Sequence, residues 1–338
     1  MAKGRWLGFL FFPLCTAVGL YFAARFSGQS LGALWKLPAL RTSTWIWLFL
    51  LSAGVYLADI WRFQICGRAL GIRLSWLTCL EASVVSLFFA WITPGGALGA
   101  ASAGFVLKRR ANVGWDDALL LAFGKSLTGI AFLVAMAAAC IVLGIGPEMS
   151  RGIILYPLLA GVAIYGFVIG VSLWAALYPE FVLGRLGRIR DRKFLGFPLS
   201  KVVIFFENTG RRLRFFLKDG KKTIVPLLAS NALYFSAFIL IATCVAYEFG
   251  ARPFPLVFGI SVVKTAAVYV APTPGGAGIS EMTAEAFYGG LLPPALAVSV
   301  VLLFRAFTFY SQIIVGLLYF GVAGGITQVF KFAEENKK

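Results

Sequence analysis

The chain has 338 residues, 60% of them apolar and 13% charged, with a formal net charge of +17 and a mean hydropathy of +0.86. That composition excludes an ordinary soluble globular protein and places the chain in a lipid bilayer. Histidine is absent and the five cysteines, Cys15, Cys66, Cys79, Cys140 and Cys244, stand singly. Zinc sites, Cys-His nucleophiles and a disulfide framework are therefore unsupported, and neither a metal nor a cofactor is expected.

A membrane-spanning helix needs about 20 apolar residues, and the chain reads as an all-α polytopic membrane protein with about eight such helices. In chain order the apolar runs are Trp6–Ala24, Thr44–Trp61, Leu74–Ile92, Trp115–Gly144, Gly152–Leu177, Thr223–Tyr247, Pro255–Val270 and Ala295–Thr327. The first follows Lys3 and Arg5 but has no clear cleavage site after it, and reads as a retained helix. Asp59 and Arg62, near the end of the second run, read as snorkelling to the cytoplasmic interface.

The third and seventh runs are stopped by nearly the same phrase, TPGGALG at Thr93–Gly99 and TPGGAGIS at Thr273–Ser280. Proline and paired glycine end a helix and let backbone approach a ligand closely. The stretches that follow, Gly95–Leu107 and Gly275–Gly290, are short for a second crossing and predict re-entrant half-helices, with full spans as the alternative. The repetition extends further: Lys125 and Arg305 each lie 31 residues after their proline, Thr128 and Thr308 keep the same register, and Gly71-Ile72-Arg73 matches Gly250-Ala251-Arg252. One integral membrane domain over 1–338 is expected, made of repeat 44–144, a connector helix with a basic loop over 145–222, and repeat 223–327.

Charge orients the chain. With the N terminus inside, 23 of the 31 Lys and Arg residues fall on the cytoplasmic side and 5 on the other, as the positive-inside rule asks. The two Pro-Gly-Gly hairpins then enter from opposite sides, so the repeats are inverted, a recurring plan for transporters. A multi-pass protein of the cytoplasmic (inner) membrane with both termini cytoplasmic is expected. The loop Arg185–Lys222 carries twelve Lys and Arg with interleaved phenylalanines, which suits anionic lipid headgroups and argues against nucleic acid as a partner.

Ionisable residues inside spans are costly and are functional candidates by default. Pro94, Gly95, Gly96 and Lys125 form the candidate substrate-binding set of the first repeat. Pro274, Gly275, Gly276, Gly278, Glu281, Glu285 and Arg305 form that of the second, and Glu81 and Lys264 are further candidates. A helix that starts inside the membrane has unpaired N–H groups and attracts an anion. Two such starts with two cations suit a phosphate-bearing headgroup. Glu281 and Glu285, four apart, share one helix face and could accept from a headgroup or carry a proton. The plainer reading makes the hairpins simple turns, with Lys125 paired to Glu81 and Arg305 to Glu281. GKS at Gly124–Ser126 is no P-loop, because the required upstream glycine is Leu119 and the segment is a membrane helix.

The stretches VAPTPGGAGISE, LLFRAFTFYSQIIVGLLYFG and IWRFQICGRALGIR together resemble the lysylphosphatidylglycerol synthase transmembrane region, or flippase-like domain family, over nearly the whole chain. The most specific motif, P-x-P-G-G-x-G-x-x-E, is carried by Pro272, Pro274, Gly275, Gly276, Gly278 and Glu281, with Arg305 as its downstream arginine. The first hairpin is looser, and Lys125 stands where the family often has arginine. The resemblance implies translocation of an anionic or phosphate-containing lipid, phospholipid or isoprenoid-linked, between leaflets, without enzymatic activity. The soluble aminoacyl-transferase domain of the multiple-peptide-resistance relatives is not seen, and a separate lipid-synthesising enzyme and homo-oligomerisation are compatible with this. The alternative is a membrane subunit of a lipid-modifying transferase, or an intramembrane transferase using Glu281 or Glu285 as base.

Overall fold

The computed structural model describes residues 39–93, 96–145, 221–269, 271 and 273–322, with Tyr21, Gly170, Trp174, Tyr178, 193–194 and 197–198. Nearly all of the expected first span, the connector helix and the basic loop, and also Pro94, Gly95, Val270 and Pro272, lie outside the described residues.

Helices carry the architecture. They are α1 (Thr42–Ala69), α2 (Trp76–Ile92), α3 (Ala97–Ala111), α4 (Trp115–Val142), α5 (Lys221–Glu248), α6 (Phe254–Tyr269), α7 (Ile279–Met282), α8 (Ala284–Tyr288), α9 (Pro294–Arg305) and α10 (Ser311–Val322). A π-helical turn over Ala306–Tyr310 joins the last two into one rod. Strand structure among the described residues is a single antiparallel pair, β1 (Lys193–Phe194) with β2 (Phe197–Pro198).

Among the described residues, four stretches are long and apolar enough to cross a membrane: Thr42–Ala69, Trp115–Val142, Ile224–Glu248 and Pro294–Gly321. Of the eight runs expected, two lie outside the described residues and two form shorter apolar helices, α2 with 17 residues and α6 with 16. Large apolar side chains face outward, among them Trp47, Phe49, Leu233, Ile314 and Leu318, a surface suited to hydrocarbon and not to water.

The long helices α1 and α5 run antiparallel along their length. Arg41, just before α1, donates from Nε to Glu248 Oε1 at the end of α5, 2.8 Å away. Midway, the small residues Gly54 and Ala237 face each other, so a Cβ on Gly54 would lie 3.8 Å from that of Ala237. Small residues at a crossing let membrane helices approach closely. Both helices end in the same way: Ile72 N bonds Gly67 O and Gly71 N bonds Arg68 O, while Ala251 N bonds Ala246 O and Gly250 N bonds Tyr247 O. Gly71 and Gly250 take positive φ, +72° and +101°, the left-handed C-terminal turn that glycine adopts cheaply.

The two hairpins begin alike and then diverge. Gly96 N bonds Thr93 O at 3.1 Å and Gly276 N bonds Thr273 O at 3.0 Å, with φ of +68° and +66° at the two glycines. After the first turn, α3 runs for 15 residues back along α2, held close by Gly99, whose Cβ would meet Ala90 Cβ at 2.7 Å. After the second there is no comparable half-helix. The half-helix expected over Gly275–Gly290 is two short pieces, α7 and α8, of four and five residues. Three glycines with positive φ, Gly275, Gly276 and Gly278, keep the chain in turns where a helix would need negative φ.

Helices α2 and α6 approach from opposite directions. Phe88 packs on Gly316 and Trp91 bonds Gln312, so α2 runs antiparallel to α10, while α6 follows α5 back through a short turn, with Tyr247 beside Phe254 and Phe238 beside Tyr269. Their C-terminal ends meet at Trp91 and Tyr269, with ring centroids 6.2 Å apart.

Candidate functional site

A cavity of about 280 Å³ opens where these ends meet. Gly96, Gly99 and Ala100 of the first hairpin line it on one side, and Ala271, Thr273, Gly275 and Gly276 of the second on another. Helix α4 supplies Phe123, Lys125, Leu127, Gly129 and Ile130, α1 supplies Asp59 and Arg62, and Trp91, Tyr234 and Tyr269 add aromatic faces. Phe123 is 40% exposed, so the cavity reaches the outer surface beside an apolar strip of α4.

Its charged centre is a cluster of Asp59, Arg62 and Lys125, of which the sequence names only Lys125 as a site residue. Lys125 Nζ donates to both carboxylate oxygens of Asp59, each at 2.8 Å, and Arg62 Nη1 donates to Asp59 Oδ1 at 3.0 Å. Arg62 Nη2 donates to the Lys125 carbonyl at 2.9 Å, and its guanidinium lies 4.5 Å from the centre of the Tyr234 ring. Asp59, Arg62 and Lys125 are all buried, at 0%, 4% and 4% exposure. Neither Asp59 nor Arg62 snorkels. Their place two to three turns inside the C-terminal end of α1 faces α4, and a buried carboxylate between two cations avoids the cost of an isolated charge. Moving Arg62 out of the cytoplasmic set leaves the charge bias intact. Gly129 is the device that admits Arg62, because a Cβ there would lie 2.1 Å from Nη2.

Glu81 is not the partner of Lys125. It takes Arg110 Nε at 2.6 Å and the Tyr319 hydroxyl, tying α2, α3 and α10 together away from the cavity. In the second repeat the expected pair forms: Arg305 Nε lies 2.9 Å from Glu281 Oε1, and Arg305 Nη1 donates to the Gly275 carbonyl at 3.1 Å. The Phe309 ring lies 4.4 Å from the guanidinium. Glu281 is fully buried and its Oε2 accepts the Gly278 N–H at 2.9 Å, so the start of α7 is capped from within. Arg305 thus braces the turn from behind and lies on a small second cavity with Ser280 and Thr308, while Gly275 presents its backbone to the main one.

The remaining candidates separate. Glu285 sits on α8, half-buried. The bend at Thr283 puts it on a different helix from Glu281, so the two do not share one face. Lys264 is fully buried, its Nζ has no hydrogen-bond partner, and it lies 4.0 Å over the Phe304 ring. Pro274 forms the turn whose carbonyl accepts Ala277 N at 3.0 Å. Pro94 and Gly95 lie outside the described residues.

The two repeat cations have the same local setting, since Thr128 Oγ1 bonds Gly124 O and Thr308 Oγ1 bonds Phe304 O. Their counter-ions come from different elements: α1 for Lys125 and the hairpin itself for Arg305. Spacing between like residues could find the cations; it could not find Asp59, which has no acidic counterpart in the second repeat.

Comparison with known proteins agrees with this architecture. The chain is 23% identical over 291 residues to a UPF0104 membrane protein of Archaeoglobus fulgidus, covering 82% of this chain and 87% of that one. With its two glycine turns and its apolar helices in place, and with residues 5–316 matching the family model, the chain belongs to the lysylphosphatidylglycerol synthase TM region family.

Proposed function

We propose that this protein moves an anionic, phosphate-bearing lipid between the leaflets of its membrane, holding the headgroup in the cavity while the apolar chains stay in the bilayer. The observation that carries the reading is the convergence of both glycine turns and a buried cluster with two cations and one carboxylate on a single cavity. At about 280 Å³ the cavity lies at the small end of ligand sites, which start near about 300 Å³, so it suits a headgroup and not a whole lipid. The strip Phe123, Leu127 and Ile130 on α4 offers the apolar chains a way out beside the cations. The antiparallel pairing of α1 with α5 and the opposed approach of α2 and α6 support the inverted-repeat organisation over 44–144 and 223–327.

Translocation is favoured over a transferase because Glu281, the leading base for intramembrane chemistry, is held by Arg305 and by the Gly278 N–H. The test is a leaflet-resolved lipid assay in proteoliposomes, comparing the native chain with Lys125→Met. Native movement of a phospholipid that is lost in the variant is the expected result. Equal movement in both removes the cavity from the mechanism, and no native movement with any phosphate-bearing lipid removes the function.

A further inference from the structure

We infer that the cavity selects a phosphate carrying one negative charge, the phosphodiester of a lipid headgroup, over phosphomonoesters and diphosphates, and that Asp59 sets this preference. The physiological source of the ligand rests on the translocation reading; the charge rule is a property of the cavity itself.

The ionised side chains lining the cavity, among the described residues, are Asp59, Arg62 and Lys125. Their formal sum is one positive charge. Asp59 occupies the position an anion would take, since both its oxygens accept from Lys125 Nζ at 2.8 Å. Unused donors remain in the same cavity: Arg62 Nε and Thr273 Oγ1 are buried with no hydrogen-bond partner, and both residues line it. A phosphodiester brings one negative charge, balances the cluster and can take up these donors. A monoester carries close to two charges above its second pKa of about 6, and a diphosphate at least as many. Either leaves a surplus anion in a site walled by apolar and aromatic residues, where uncompensated charge is strongly penalised.

Two neighbouring features do not alter the sum. The start of α3 carries a partial positive charge, roughly half a unit at a free terminus, but its Leu98 N–H is directed to Thr93 Oγ1 at 3.3 Å. Behind Gly275, Arg305 and Glu281 cancel each other, and Lys264, buried over the Phe304 ring beside them, does not line the cavity. Asp59 therefore acts as a built-in competitor: it holds the two cations in place, and it limits the valence of what displaces it.

The experiment uses the purified full chain at pH 8. Binding of two soluble probes, glycerophosphoglycerol (a diester) and glycerol 3-phosphate (a monoester), is compared with translocation of phosphatidylglycerol and phosphatidic acid bearing identical acyl chains. The native protein is expected to prefer the diester by about tenfold or more. Asp59→Asn, which raises the cluster to two positive charges, shifts the ratio toward the monoester by a similar factor. Asp59→Asn with Lys125→Met restores a single positive charge and with it the diester preference. Equal or tighter native binding of the monoester overturns the proposal, as does a folded Asp59→Asn protein with the native ratio. Should that variant not fold, the native ratio decides alone. Probe binding that follows the rule without any lipid movement keeps the charge rule and refutes translocation, while lipid movement without diester preference does the reverse.

Discussion

Gly129→Ala tests the charged cluster through one methyl group. The added Cβ would lie 2.1 Å from Arg62 Nη2, so the guanidinium must retreat by about 1.3 Å to reach ordinary contact. It has little room, with the Tyr234 and Phe235 rings 4.5 and 5.9 Å from its centre. The Nη2 bond to the Lys125 carbonyl, now 2.9 Å, is the one that breaks. A hydrogen bond from a charged donor contributes about 1.5–3 kcal/mol. Alanine also gains up to about 1 kcal/mol over glycine inside a helix, which would blur the result. Gly124→Ala removes this ambiguity, because it lies on the same helix with nothing within 4 Å of its Cβ. The propensity gain cancels between the two variants, and Gly129→Ala is expected to be less stable than Gly124→Ala by about 1.5–3 kcal/mol. Thermal unfolding of both proteins in one detergent measures the difference, and binding of glycerophosphoglycerol follows the cluster. Equal stabilities with unchanged binding in Gly129→Ala would refute the role given to Arg62.

Lys125→Met and Arg305→Met are expected to differ, although the two cations are repeat equivalents. The first loses anion binding in the cavity; the second strands the fully buried Glu281 and costs about 3–5 kcal/mol of stability, read by unfolding in detergent. Gly275→Ala combines a φ of +55° with a Cβ only 2.0 Å from the Phe309 ring; at least about 2 kcal/mol is lost, visible as a lower unfolding midpoint. Glu81→Gln weakens a partly exposed ion pair to Arg110, and a change within about 1 kcal/mol with normal lipid movement is expected. A complete loss of movement would give this tie a role that its place away from the cavity does not suggest.

Much of the fold is legible in the sequence because hydrocarbon demands long apolar helices, and the runs at Trp115 and Thr223 become α4 and α5 with ends shifted by only a few residues. The glycine turns are also legible, since Gly71, Gly96, Gly250 and Gly276 need backbone angles that other residues avoid. What could not be read is pairing across the bundle. Asp59 and Arg62 lie near a run's end, where snorkelling is the cheapest guess, and only the packing of α1 against α4 brings them to Lys125. Gly129 sits in a helix with no turn, and its use becomes visible once Arg62 points at it. The pair Glu281–Arg305 follows the plainer of the two sequence readings, but spacing alone could not reveal that it stands behind the cavity wall.

The meeting of Trp91 with Tyr269 fixes a length scale. At 17 and 16 residues, α2 and α6 are each about 25 Å long, short of the roughly 30 Å hydrocarbon core. Placed end to end from opposite sides with modest tilt, they fill about the 40–45 Å of a bilayer counted with its headgroup zones. On that placement their junction falls near mid-depth, where the electrostatic work of carrying an ion through lipid is greatest. For the proposed lipid movement, a polar waypoint there would divide one high barrier into two lower ones, each about half a membrane wide.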